Sequence, residues 1–139
     1  NVNLRGVFLL SQSIIPLFNN DASIINFSST YGIVSADKSI YGDSGINSPV
    51  AYATSKSGII NLSRYMANHI EGVRVNTLSP GGVLRNQPET FVKKYNARTP
   101  LGRMATEDDF RGAIAYLASD LSSYVTGQNL AVDGGWGIW

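Results

Sequence analysis

Tyr52-Ala53-Thr54-Ser55-Lys56 heads an apolar-periodic run that reads as a helix, and the rest of the chain can be placed around it. The tyrosine and lysine lie four residues apart, so their side chains share one helix face. A lysine ammonium beside a phenol stabilises the phenolate, and a tyrosine so placed exchanges protons with a substrate near neutral pH. Spacing alone does not decide the matter. In a chain with seven tyrosines, a chance Tyr-x-x-x-Lys is expected roughly 0.2 times, and a solvated helix face explains the pair as well. The helix continues through Ile59, Ile60, Leu62, Ser63, Met66 and Ala67 and stops near Gly72, a natural helix terminator. His69, near that end, reads as a solvated residue or dipole partner.

Working outward, Ser23-Ile24-Ile25-Asn26-Phe27 is a β-prone run bounded by polar residues, which predicts a parallel strand buried on both faces. Ser28 and Ser29 stand at its carboxyl end, the edge at which open parallel sheets bind ligands; simple turn formation accounts for them equally. Val73 to Leu78 alternates and runs into Ser79-Pro80-Gly81-Gly82-Val83, a second strand with a loop at the same edge. Leu130-Ala131-Val132 reads as a last strand, followed by a tight, unreactive turn at Asp133-Gly134-Gly135. Thr106-Glu107-Asp108-Asp109 is an N-cap with acids in the first turn, opening a helix through Phe110, Ala113, Ile114, Tyr116 and Leu117. At the start, Val2, Val7, Leu10, Ile14 and Leu17, with Phe8, Ile15 and Phe18, recur at helical spacing and predict a core-facing stripe over residues 1–18. Asn86 to Thr99 is polar and poorly periodic apart from Phe91-Val92. Trp136 and Trp139 read as core or interface aromatics. Strands alternating with helices predict an α/β fold on a parallel sheet.

A chain of 139 residues is the size of one domain and buries roughly 70% of its unfolded surface. Hydrophobic content of 43% and charge of 15% exclude a disordered chain. A net charge of +1 provides no field for nucleic acid or an anionic membrane surface. With no cysteine and one histidine there is no disulfide and no zinc centre, and no metal site is expected. No apolar run approaches the eighteen or so residues of a membrane span, and the start is not a signal peptide, so a cytoplasmic location is the expectation.

Read together, Ile24-Ile25-Asn26-Phe27-Ser28-Ser29, Tyr52 to Lys56 and Asn76-Thr77-Leu78-Ser79-Pro80-Gly81-Gly82 resemble, in order, the catalytic half of the short-chain dehydrogenase/reductase family. Asn3-Leu4-Arg5-Gly6 and the stretch Thr126 to Gly135 extend the resemblance over essentially the whole chain. The residues Ile40 to Gly45 and Ser48 to Tyr52 look most like bacterial oxidoreductases of surface-sugar and flagellin-modification pathways.

The resemblance implies the C-terminal part of a Rossmann-type doubly wound parallel sheet with flanking helices. Residues 1–139 are then the catalytic portion of one domain whose dinucleotide-binding half, with its Gly-rich turn and acidic ribose reader, is not in this sequence. On that expectation the fragment is inactive alone. The implied catalytic residues are Asn3, Ser29, Tyr52 and Lys56: Asn3 holds a water linking the lysine to solvent, and Ser29 polarises a carbonyl. The implied cofactor is NAD or NADP, contacted by Tyr52, Lys56, Pro80, Gly81, Gly82 and Val83, with the Val83 backbone meeting the carboxamide. Arg85 departs from the family, which commonly has a cofactor-binding threonine there; an arginine suits a cofactor phosphate or an anionic substrate. Asn86 to Thr99 corresponds to a mobile substrate lid. The helices carrying Asn3 and Tyr52 imply a homodimer or homotetramer, and the partner in catalysis is a small-molecule substrate.

The 22 residues between Ser29 and Tyr52 are more than is usual in the family. Polar and punctuated by Gly42 and Gly45, they read either as a substrate-facing loop that recognises hydroxyls, with Asp43 central, or as a solvated insertion. Two other functions suit parts of the pattern: a sugar-nucleotide epimerase or dehydratase using the same Tyr/Lys pair, and a catalytically inert oligomerisation fragment. The Thr126 to Gly135 terminus favours the dehydrogenase.

Overall fold

The computed structural model describes residues 2–44 and 47–139. Asn1, with which the first helix was expected to open, and the side chain of Asp43, on which the substrate-loop reading centred, lie outside the described residues.

Three parallel strands, β1 (Ala22–Phe27), β2 (Val73–Pro80) and β3 (Asn129–Val132), form one sheet in the order β1-β2-β3. Ile25 pairs with Asn76 and Thr77 with Asn129. The helices are α1 (Val7–Ile14), α2 (Val50–His69), α3 (Glu89–Arg98) and α4 (Arg111–Ala118). Neighbouring residues of a strand point to opposite faces, and this shows how the sheet is covered. Asn26 donates to Ser63 of α2, whereas Ser23, three residues away on the other face of β1, and Arg74, its register partner in β2, donate to the Leu117 carbonyl of α4. The two helices therefore cover opposite faces, the doubly wound arrangement expected. Between them β2 is buried from Val75 through Ser79.

Two expectations fail in the first third of the chain. The Val2 to Leu17 stripe is not core: Val2 is 84%, Leu10 61% and Leu17 79% exposed. The opening segment reaches α2, where Leu4 lies over Gly58, and α1 has Ser11 as its buried residue, while no described element covers Val2, Leu10 or Leu17. The helix is also divided into a π-helical segment, Val2–Gly6, then α1, then a 3-10 turn at Ile15–Leu17 where Pro16 interrupts it. Likewise β1 is not buried on both faces; it is the sheet edge, paired only with β2, and Phe27 at its end is exposed.

The stretch from Asn86 to Thr99 is better ordered than its polarity suggested. It holds α3, because Phe91, Val92 and Tyr95 fall on one helix face: Tyr95 joins Ile40, Met104 and Trp136 in a buried core, and Phe91 and Val92 pack against it. Trp136 is fully buried, with the Tyr95 ring stacked on it at 4.2 Å and the Arg98 guanidinium 4.6 Å from its centroid. Trp139 is exposed and donates its indole N–H to the Arg98 carbonyl. Residues 30–42 are not a solvated insertion. Ile40 is buried in this core, Asp37 pairs with Arg98 at 2.5 Å, and Lys94 donates to the Ser39 carbonyl. Ahead of α4, Thr106 and Asp109 form a reciprocal capping box around the 3-10 turn Glu107–Phe110.

Candidate active site

The carboxyl ends of β1 and β2 and the first turns of α2 converge, as parallel α/β sheets require of a ligand edge. α2 starts behind Pro49, whose fixed φ suits the residue entering a helix. Tyr52 is thereby in the first turn and Lys56 one turn on. Lys56 Nζ donates to the Phe27 carbonyl at the end of β1 over 2.9 Å and lies 5.8 Å from the centroid of the Tyr52 ring. Burial of the ammonium lowers its pKa below the ordinary lysine value. Ser28 donates to the Lys56 carbonyl at 2.8 Å, which fastens the helix to the strand end. Gly32 permits the same closeness from the next turn, since a Cβ there would fall 2.5 Å from Ser28 Oγ and 2.9 Å from the Lys56 carbonyl carbon.

Ser29 caps the 3-10 turn Thr30–Gly32: its Oγ accepts the Tyr31 N–H at 3.2 Å. Acting as acceptor there, the hydroxyl keeps its proton for donation. Thr30 donates to the Pro80 carbonyl at 3.0 Å and ties this turn to the end of β2. Beyond it, Val83 bridges to Ala105, with Leu84 donating to Ala105 and Ala105 to Gly82. In a parallel bridge those bonds belong to the flanking residues, so the N–H and C=O of Val83 point the other way. Gln87 Nε2 takes the Val83 carbonyl at 2.8 Å. Gly82 donates to Tyr95 Oη at 2.6 Å and is packed so closely on that ring that a Cβ would sit 2.7 Å from it. Burial raises the Tyr95 pKa, so it remains a neutral phenol.

Ser29, Tyr52 and Pro80 to Val83 line one cavity of about 390 Å³. Asn3 and Lys56 are not on its wall. Asn3, inside the π-helical segment, donates to Ser55 Oγ at 3.3 Å, and Ser55 donates to the Tyr52 carbonyl at 2.8 Å. Asn3 is thus tied to the turn of α2 that carries Tyr52 and Lys56. Arg85 is engaged by an exposed ion pair with Glu107 and does not line the cavity. The cavity also takes in Tyr31 and Tyr41, from the segment read as a substrate-facing loop, Phe91 and Tyr95, from the stretch read as a lid, and Met104, which was not singled out. Proximity to Ser29 was a signal for Tyr31, the polar loop after Ser29 for Tyr41, and the 91/92/95 spacing for α3; nothing local marked Met104.

The arrangement is a phenol beside a partly desolvated ammonium, a serine hydroxyl across the cavity, and a close-packed backbone strip at the sheet edge. A family model described as enoyl-(acyl carrier protein) reductase matches residues 1–137. The chain belongs to the short-chain dehydrogenase/reductase family. Within that family it is similar to post-translational flagellin modification protein A of Campylobacter coli, at 36% identity over 99% of this chain and 56% of the relative. It is also similar to the 3-oxoacyl-(acyl-carrier-protein) reductase of Thermotoga maritima, at 38% identity over 97% of this chain and 54% of the relative. Among solved structures, a short-chain dehydrogenase from Leptospira borgpetersenii with bound NAD+ superposes with a TM-score of 0.91 at 46% identity, covering 98% of this chain and 54% of that one. The short-chain dehydrogenase/reductase chain described here thus spans about half the length of these relatives.

Proposed function

We propose that the whole protein is an NAD(P)-dependent oxidoreductase that moves hydride between nicotinamide and a secondary alcohol or ketone, with Asn3, Ser29, Tyr52 and Lys56 as its catalytic set. The observation that carries this is the convergence of Tyr52, Ser29 and the Pro80 to Val83 strip on one cavity with the Lys56 ammonium behind Tyr52. The residues fit a nicotinamide: Val83 stands on the cavity wall and turns its N–H away from the bridge with Ala105. Pro80, Gly81, Gly82, Val83, Tyr52 and Lys56 would hold it. When bound, it supplies or receives the hydride.

In the reducing direction Tyr52 gives its proton to the carbonyl oxygen while Ser29 donates a hydrogen bond to the same oxygen. Lys56 stabilises the phenolate that remains, and its bond to the Phe27 carbonyl holds it in place. Asn3, through Ser55, holds the turn of α2 that carries Tyr52 and Lys56.

On this reading residues 1–139 are the catalytic portion of a Rossmann-type domain whose dinucleotide-binding half belongs to the rest of the protein, a view supported by the half-length match to relatives. Two or four copies associate through the exposed apolar face of Val2 to Leu17. The protein acts on a small molecule in the cytoplasm; among the described residues no helix is long and apolar enough to cross a membrane. In the full-length protein, Tyr52→Phe is expected to lower kcat by about 10²- to 10⁴-fold while NAD(P)H affinity, read by fluorescence titration, stays near the parent value. Retained turnover would sink the mechanism.

A further inference from the structure

The cavity wall beyond Ser29 and Tyr52 is uncharged: among the described residues, none of its lining side chains is acidic or basic. Four cations near lining residues in the chain are already engaged. Arg98 is paired with Asp37, Arg103 with Asp109 and Arg85 with Glu107, and Lys94 donates to the Ser39 carbonyl. A carboxylate or phosphate leaving water needs arginine or lysine at its oxygens to offset its dehydration. This wall offers none.

What it offers is hydroxyls set against aromatic faces. Tyr31 Oη and Tyr41 Oη are 3.1 Å apart, and the Tyr41 ring lies 5.6 Å from that of Phe91. A phenol both donates and accepts, as does an alcohol, so a phenol pair complements a substrate hydroxyl. Burial, then the bond to Tyr41, raises the Tyr31 pKa far above the ordinary phenol value, so it stays a neutral phenol at any working pH. The pair is also held firmly. Tyr31 belongs to the turn that Ser29 caps, and Tyr41 to the 3-10 segment Lys38–Ser44, which Asp37–Arg98 and Lys94–Ser39 fasten to α3.

We propose that this cavity takes a compact, uncharged, polyhydroxylated substrate, with the Tyr31–Tyr41 hydroxyl pair reading one of its hydroxyls and anionic analogues disfavoured. This rests on the redox reading of Tyr52 and Ser29 and names its substrate class. In the oxidising direction the carbinol carbon gives up hydride to the nicotinamide and the hydroxyl gives its proton to Tyr52. The alcohol becomes a ketone as NAD(P)+ becomes NAD(P)H.

The test uses full-length protein and three six-carbon probes: sorbitol, gluconate and 2-hexanol, with ribitol as a second neutral polyol. Turnover with NAD+ and NADP+ is followed by absorbance of the reduced nicotinamide, and binding by saturation-transfer NMR. The polyols are expected to exceed gluconate and 2-hexanol in kcat/KM by about tenfold or more. Tyr31→Phe and, separately, Tyr41→Phe should each raise the polyol KM by about fivefold, with cofactor affinity unchanged. Preference for gluconate or 2-hexanol, or polyol binding indifferent to both tyrosines, overturns the proposal and leaves the redox reading standing. Tyrosine-dependent polyol binding with no turnover on either cofactor supports the recognition and sinks the redox reading. Absence of polyol binding overturns the proposal outright.

Discussion

At Lys56 two effects oppose one another. Burial disfavours the ammonium, while the Phe27 carbonyl at 2.9 Å accepts one of its protons and the Tyr52 ring lies 5.8 Å away. The ammonium so held stands beside the phenol that exchanges the proton. In the full-length protein, Lys56→Met should therefore lower kcat for alcohol oxidation by about tenfold or more. A loss confined to KM and to NAD(P)H affinity would assign Lys56 to binding alone. Tyr95 acts through another group: its hydroxyl receives the Gly82 N–H next to Val83. Tyr95→Phe leaves that N–H unpaired, at a cost of about 1–3 kcal/mol, and loosens the strip proposed to hold nicotinamide. The expected outcome is a lower thermal midpoint together with a weakened NAD(P)H Kd, and a change in the midpoint alone would make the residue purely structural.

The elements show why the segment after Ser29 is part of the site. It reaches the core around Trp136 through Ile40, and its Asp37 carboxylate closes on Arg98 of α3. The Ser39 backbone N–H, with smaller help from Arg98, holds the Asp37 carboxyl below the usual carboxylate range. A carboxyl whose folded pKa is depressed stabilises the fold fully above its unfolded pKa of about 3.9, and that stability is lost as pH falls toward the folded value. Asp37→Asn should then be less stable than the parent at neutral pH, with the difference shrinking below about pH 4. Chemical denaturation across that range checks it; a gap independent of pH would show that the ion pair and the Ser39 contact carry no linkage.

For the whole molecule, the unusual feature is a helical face with Val2, Leu10 and Leu17 largely in solvent. Apolar area of this kind is worth roughly 25 cal/mol per Å² once covered, and a contiguous exposed patch is how subunit interfaces present themselves in isolation. In the full-length protein, Leu10→Glu should shift the assembly to a smaller species in light scattering after size exclusion. An unchanged mass with reduced stability would instead place that face against the protein's own remaining chain.

The sequence by itself determined what local periodicity and residue chemistry determine. Ile59, Ile60, Ser63 and Met66 mark α2, the β-prone runs at 23–27 and 73–78 became strands, and Ser29, Tyr52 and Pro80 to Val83 were legible as a motif set because their order along the chain carries the meaning. The exposure of α1 was not legible, since an amphipathic stripe states that a face wants covering and is silent on what covers it. Nor was α3 read, because its packing face depends on Tyr95, a half-polar residue whose burial follows from the stack on Trp136, far along the chain. Only the tertiary structure brought Tyr31, Tyr41 and Met104 to the wall that Ser29 and Tyr52 share. Cavities are lined by residues distant in sequence, and their meeting is decided by which cores pack together, a long-range property that no local pattern encodes.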